Sequence, residues 1–216
     1  MHGDYERETY VVQPQDTLYS IAWRHDLDYR ALARWNGIGP DYRISVGQIL
    51  TLRPAAPGIA TPSAPRVASG HPGAAVPPGP VVPPGAATGP SPEEPTSGRW
   101  VWPTSFLQSP RAVIGGGILL EGVLGQPVHA ACSGRIVYVG SGIRGYGNLI
   151  IIKHDDNFLS AYAHTREVTV HEGQDVLRGQ VIAQMGVGPH QTPALYFEIR
   201  LNGKPVDPLP YLPGRK

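Results

Sequence analysis

Five histidines fall in the C-terminal half of this chain, His129, His154, His164, His171 and His190. Imidazole is the commonest protein metal ligand and a general base near neutral pH. A catalytic zinc needs about three protein ligands, His or carboxylate, and an open position for water. The spacing does not supply that set. Asp155-Asp156-Asn157 reads as a hairpin turn with His154 and His164 on its arms. His164 then pairs near Asn148, and at ~3.3 Å per residue the two imidazoles stand roughly 20 Å apart. His190 lies in a loop that can reach His164, but a pair of histidines without a carboxylate makes only a weak, surface-type site. His154 and His190 read instead as turn or surface residues, and His164 as a polar group in a cleft. A second chemistry these residue types allow is protein recognition. Tyr162 and His164 share a strand face by alternation, as do Tyr196 and Arg200. Tyr146 sits in the bend Gly145-Tyr146-Gly147, and Leu119 and Leu120 add alkyl groups. Tyrosine, arginine and leucine around a cleft suit a binding hot spot. The plainer alternative is ordinary strand packing.

The elements that must position these side chains are short strands and turns. Gln126–Ala130 leads to a turn at Ser133-Gly134, and Arg135–Val139 follows as a strand. Asn148–His154 and Phe158–His164 form the arms of the hairpin. Glu172-Gly173 and Arg178-Gly179 punctuate the next strands. An antiparallel, β-rich domain over residues 99–216 is expected. Cys132 is the only cysteine, which excludes an intrachain disulfide, and it reads as a small buried hydrophobe beside a strand.

Residues 9–53 have a different pattern. Tyr10–Pro14 begins as a strand, and Asp16 or Thr17 caps a helix in which Leu18, Ile21 and Ala22 recur at helical spacing. A second helix covers about Tyr29 to Trp35 and stops at Asn36-Gly37. Val46–Leu52 closes as a strand, giving the order βααβ. Tyr19, Trp23 and Trp35 read as core rather than as an exposed aromatic platform.

Residues 54–98 are mostly Pro, Ala, Gly, Ser and Thr. They cannot bury enough apolar surface to offset their ordering entropy, so a disordered Pro/Ala/Gly-rich tether is expected. Fully extended at ~3.1 Å per residue it would reach on the order of 100 Å. The alternative, a proline-rich recognition peptide, lacks basic or aromatic specificity residues. The formal net charge is +1, which gives no argument for nucleic acid. No apolar run is long enough to span a bilayer. The first eight residues lack a hydrophobic signal core and a lipid-accepting cysteine.

Two resemblances follow from these motifs. Tyr10, Val12, Asp16-Thr17-Leu18, Ile21-Ala22, Asn36-Gly37, Ile44 and Val46–Leu50 resemble the LysM module, with Gln15 standing where that family usually has glycine. The resemblance implies binding to N-acetylglucosamine-containing strands of peptidoglycan, in a groove formed by Gln15, Asp16, Thr17 and Leu18 on one side and Asp41 and Ile44 on the other. Pure helix capping is the alternative role for Asp16 and Thr17. The second resemblance is to LytM (lysostaphin-like) metallopeptidases. It rests on Pro127-Val128-x-Ala130, Gly134-x-Ile136-Val137, Gly145-Tyr146-Gly147-Asn148, Tyr162-Ala163-His164, Gly173-x-x-Val176-x-x-Gly179-Gln180 and Tyr196–Ile199. Where that family carries zinc ligands, this chain has Gly115, Leu119 and Tyr196. His164 matches the family's catalytic histidine beside the metal, not a metal ligand.

The layout and the vacated motifs resemble the degenerate LytM proteins typified by NlpD and EnvC. That resemblance implies a non-enzyme without a metal or other cofactor. It implies an activator of N-acetylmuramoyl-L-alanine amidases, zinc enzymes that split septal peptidoglycan in daughter-cell separation. The partner groove would comprise Leu119, Leu120, Tyr146, Tyr162, His164, Tyr196 and Arg200. The expected location is the periplasm, with an outer-membrane anchor on an N-terminal segment absent from this chain as the fuller version. The alternatives are a glycan-binding envelope scaffold and a residual peptidoglycan endopeptidase.

Overall fold

The computed structural model describes residues 9–53 and 100–214, which belong to one compact unit. The expected tether at 54–98 and the first eight residues lie outside the described residues.

The N-terminal stretch is a βααβ module: β1 (Thr9–Val11), α1 (Leu18–Arg24), α2 (Tyr29–Trp35) and β2 (Ile49–Thr51). Its strands pair antiparallel, Thr9 opposite Thr51. Thr17 caps α1 through a reciprocal box with Ser20, whose N–H donates to the Thr17 hydroxyl at 3.1 Å while the Thr17 N–H donates to Ser20 Oγ at 3.0 Å. Asp28 caps α2 by accepting from the N–H groups of Arg30 and Ala31, each at 2.9 Å. Asn36 ends α2 and ties it to β2, exchanging two hydrogen bonds with the Thr51 backbone. Gln15 adopts φ 69°, the left-handed region that glycine enters most easily.

The second stretch contains β3 (Arg111–Ala112), β4 (Ile118–Glu121), β5 (Pro127–His129), β6 (Gly134–Gly140), β7 (Asn148–Lys153) and β8 (Phe158–Arg166). It continues with β9 (Asp175–Val176), β10 (Val181–Met185), β11 (Ala194–Leu201) and β12 (Lys204–Val206). All pairings are antiparallel, and the main order is β3-β4-β11-β8-β7-β6-β9. β10 joins β5 and β8, and β12 pairs with β11.

This sheet is buried on both faces. Ile118, Leu120, Ile150, Ile152, Tyr162, Phe197 and Ile199 point into a core closed by Trp100 and Phe106. Leu119, Leu149, Ile151, Ala161, Ala163 and Tyr196 point the other way. They form one continuous apolar cluster with Val12, Leu18, Ile21, Trp23, Tyr29 and Leu32 of the N-terminal module. The βααβ module therefore sits on the second sheet face. Leu149-Ile150-Ile151-Ile152 fits this arrangement: an unbroken apolar strand is one covered on both sides, where a half-exposed strand would alternate.

Strand alternation fails at one place. Asn148 pairs with Thr165, but Ile150 pairs with Tyr162, so two residues of β8, Ala163 and His164, oppose Leu149 alone. This is a β-bulge, and His164 takes φ 60° within it. The bulge reverses the side-chain parity on which the expected sharing of a face by Tyr162 and His164 depended.

Candidate protein-binding groove

β11 supplies the centre of the second face. Tyr196, Glu198 and Arg200 alternate onto one side, and their polar ends form a ladder. The Tyr196 hydroxyl donates to Glu198 Oε2 at 2.6 Å, and Arg200 Nε donates to Glu198 Oε1 at 2.6 Å. Glu198 is only 1% exposed, so its charge is tolerated because both oxygens are occupied by strong donors. Burial, followed by the neighbouring Glu198 carboxylate, pushes the Tyr196 phenol far above its ordinary value. It stays protonated and acts as a donor.

Tyr196 lies opposite Leu119 on β4 and Ala163 on β8. Its ring occupies the space over Gly117, where any added Cβ would collide with the phenol. Tyr146 packs edge-on against it, ring centroids 5.5 Å apart. Burial first, then the Glu198 charge, raises the Tyr146 phenol as well. His164 is pinned by its backbone. Its N–H donates to the Tyr146 carbonyl at 2.8 Å, and its own carbonyl accepts from Gly186 N at 2.9 Å. Burial lowers its imidazole below the ordinary value, favouring the neutral ring. His164 lines a hollow with Gly147, Asn148, Thr165 and Gly186, whereas His154 lines a separate one with Arg135, Lys153 and Arg178.

The sequence-derived groove set is thus brought together in part. Leu119, Tyr146, His164, Tyr196 and Arg200 gather on or beside the second face. Tyr162 and Leu120 do not. Tyr162 is fully buried in the first core against Phe197, its hydroxyl accepting from Ala131 N at 2.8 Å and from Ser160 Oγ at 3.0 Å. Leu120 also points into that core, as strand alternation from Leu119 requires. Glu198 was missed, although a carboxylate two residues from both a tyrosine and an arginine on a strand signals a face-sharing triad.

Arg200 is 3% exposed because the N-terminal module covers it. Its guanidinium stacks over the Trp23 ring at 3.8 Å, donates to the Trp23 carbonyl at 3.2 Å and pairs with Asp26 at 3.0 Å.

A zinc ion does not fit this donor set. Leu119 offers an alkyl group and Gly115 no side chain, and the Tyr196 hydroxyl is committed to Glu198. Among the described residues no group of three His, Cys, Asp or Glu could hold a metal.

In the N-terminal module the proposed glycan set divides by exposure. Gln15 and Asp41 are exposed, and Asp41 pairs with Arg43 at 3.5 Å. Asp16 is occupied structurally, accepting from the Tyr10 hydroxyl at 2.6 Å, Gln13 N at 2.8 Å and Arg24 at 3.3 Å. Thr17 caps α1. Leu18 is 1% exposed, which corrects any side-chain contact with sugar and leaves only its backbone for that role. Ile44 is half-buried against the module core.

Comparison with known proteins places this architecture. Residues 10–53 match the LysM domain, and residues 114–208 match peptidase family M23. The Lipoprotein NlpD/LppB homolog of Pseudomonas aeruginosa is 44% identical, the alignment covering 95% of this chain and 77% of that one. The Murein hydrolase activator NlpD of Escherichia coli is 37% identical, over 99% and 70% of the two chains. A solved peptidase M23 structure from Pseudomonas aeruginosa shares the fold with TM-score 0.50 at 25% identity, over 58% of this chain and 55% of that one. With a LysM module, an M23-type sheet and this relative along nearly its whole length, the chain belongs to the NlpD/LppB family.

Proposed function

We propose that this chain is a non-catalytic activator of cell-wall N-acetylmuramoyl-L-alanine amidases. The observation that supports this is the Tyr196–Glu198–Arg200 ladder, which ties up the Tyr196 hydroxyl on an M23-type sheet, in a chain with relatives named murein hydrolase activators. A face built from Leu119, Tyr146, Tyr196 and Arg200, with His164 at its edge, would offer a peptide segment apolar area and the Arg200 guanidinium wherever the N-terminal module does not cover it. Binding the segment of an amidase that shields its own zinc would shift that enzyme toward its open form, because a ligand favours whichever state it binds better. The zinc chemistry then belongs to the partner.

The LysM module would hold the activator on peptidoglycan through the loops bearing Gln15 and Asp41, with backbone groups near Asp16, Thr17 and Leu18. Relatives named as lipoproteins support an envelope location, the periplasmic side with an outer-membrane anchor.

The test is dye release from labelled peptidoglycan, with this chain alone and with candidate amidases. No release alone and increased release with an amidase is expected. Tyr196→Ala removes a hot-spot side chain worth about 2 kcal/mol, so activation should fall roughly thirtyfold at limiting concentration while circular dichroism stays unchanged. Release by the chain alone would instead favour a residual endopeptidase.

A further inference from the structure

The face proposed to take the amidase is covered by the chain's own N-terminal module. Trp23 and Asp26 hold Arg200 from the top of the ladder. Around this centre runs a polar rim. Arg24 donates to the Gly142 carbonyl at 3.4 Å, and the Tyr29 hydroxyl to the Asp156 carbonyl at 3.3 Å. Arg30 reaches Asn157 at 3.1 Å and Asn202 at 2.8 Å, and Lys204 reaches the Asp26 carbonyl at 3.3 Å. A desolvated aromatic–arginine centre inside a ring of polar contacts is the anatomy of a specific interface.

The fit is close at the turn between β11 and β12. Gly203 has φ 76°, and a Cβ added there would lie 2.6 Å from Asp28 Cα and 2.7 Å from Asp28 N. The glycine thus serves both the hairpin turn and the approach of the module's backbone.

We infer that the N-terminal module is a built-in cover, and that the seated form is the resting, inactive state of the activator. This rests on the groove being the amidase-binding face. Trp23 and Asp26 engage the Arg200 guanidinium that a partner segment would need, so the two occupants compete. Covalent connection through residues 54–98 makes seating intramolecular, which favours the closed form even when the contact is weak. The seated module leaves Gln15 and Asp41 exposed, so attachment to peptidoglycan and closure are compatible. Activation then requires unseating of the module, not its delivery to the wall.

The full chain tests this with substitutions outside both the groove and the glycan set. Gly203→Asn retains a residue type that accepts positive φ but drives a side chain into the Asp28 backbone. Asp26→Lys replaces attraction to Arg200 by repulsion. Small-angle X-ray scattering reads closure, and dye release with an amidase reads activation. The parent should scatter as a closed particle. Each variant should expand and activate about tenfold more strongly at sub-saturating concentration, because apparent affinity scales with the open fraction. If circular dichroism shows that one variant misfolds, the other carries the test, and the double variant follows.

A parent that already scatters as two separate bodies overturns the inference. So do expanded variants with no gain in activation, or a folded double variant that stays closed. In each of these cases a parent that activates leaves the activator role standing. If neither the parent nor an expanded variant activates any amidase, the activator role and the cover fall together.

Discussion

Glu198 carries a buried charge with two dependants. Replacing it by alanine removes the buried one of the two carboxylates that pair with the Arg200 guanidinium, leaving Asp26 and the Trp23 carbonyl, and also removes the Tyr196 acceptor. Breaking a buried pair from one side costs about 3–5 kcal/mol. Urea denaturation of Glu198→Ala should show a loss of that order, whereas Tyr196→Phe, which deletes a single hydrogen bond, should lose about 1–2 kcal/mol. His164 makes a prediction in pH. Its folded-state pKa lies below the ordinary 6.5 because burial penalises the imidazolium. The unfolded chain therefore binds the proton first as pH falls. Stability is held above pH 6.5 and declines as the pH drops toward the folded-state value. Comparing urea midpoints of the parent and His164→Gln across that window should show a shallower decline in the variant. His25, lowered in the same direction by burial and then by Arg24, remains as an acid-sensitive group in both proteins.

Among the elements, helices and turns were legible because their signals are local. Thr17 before Leu18, Asp28 before Tyr29 and Asn36-Gly37 after Trp35 each satisfy helix-end groups within a few residues. The β8 bulge was not legible, because a register shift depends on the partner strand, and it took His164 off the face that Tyr162 occupies. Gln15 shows a local conflict that the sequence did expose: the family's glycine position is filled by a residue with a Cβ, and the backbone still goes left-handed. Gln15→Gly should relieve about 1 kcal/mol of steric cost, partly offset by the greater freedom of glycine when unfolded. A small rise in the melting temperature of the full chain would register it. An unchanged or lower value would mean that Gln15 makes compensating contacts.

For the whole molecule, covering of the groove could not be read from any window of sequence. Arg200 and Trp23 are 177 positions apart, and neither residue type announces the other. In sequence the run Leu149–Ile152 reads only as a hairpin arm; its lack of alternation is explained by the cover that the structure places on its second face. The glycan loops and the groove occupy different parts of the molecule, so their activities should separate. Tyr196→Ala should lose amidase activation yet co-sediment with purified peptidoglycan as the parent does. Loss of both together would mean that the groove itself takes part in wall binding.

The Gly203 contact gives the resting state an unusual mutational geography. Gain of a single methyl group at that turn presses on the cover without touching a residue assigned to glycan or partner. Gly→Ala, Gly→Ser and Gly→Asp each require one nucleotide change in a glycine codon of suitable third base, and they offer graded bulk and charge. Selection could therefore tune the threshold for wall cleavage in small steps at one site, leaving recognition intact. A lineage facing slower or faster division would have a route to adjust hydrolase timing that does not pass through loss of function.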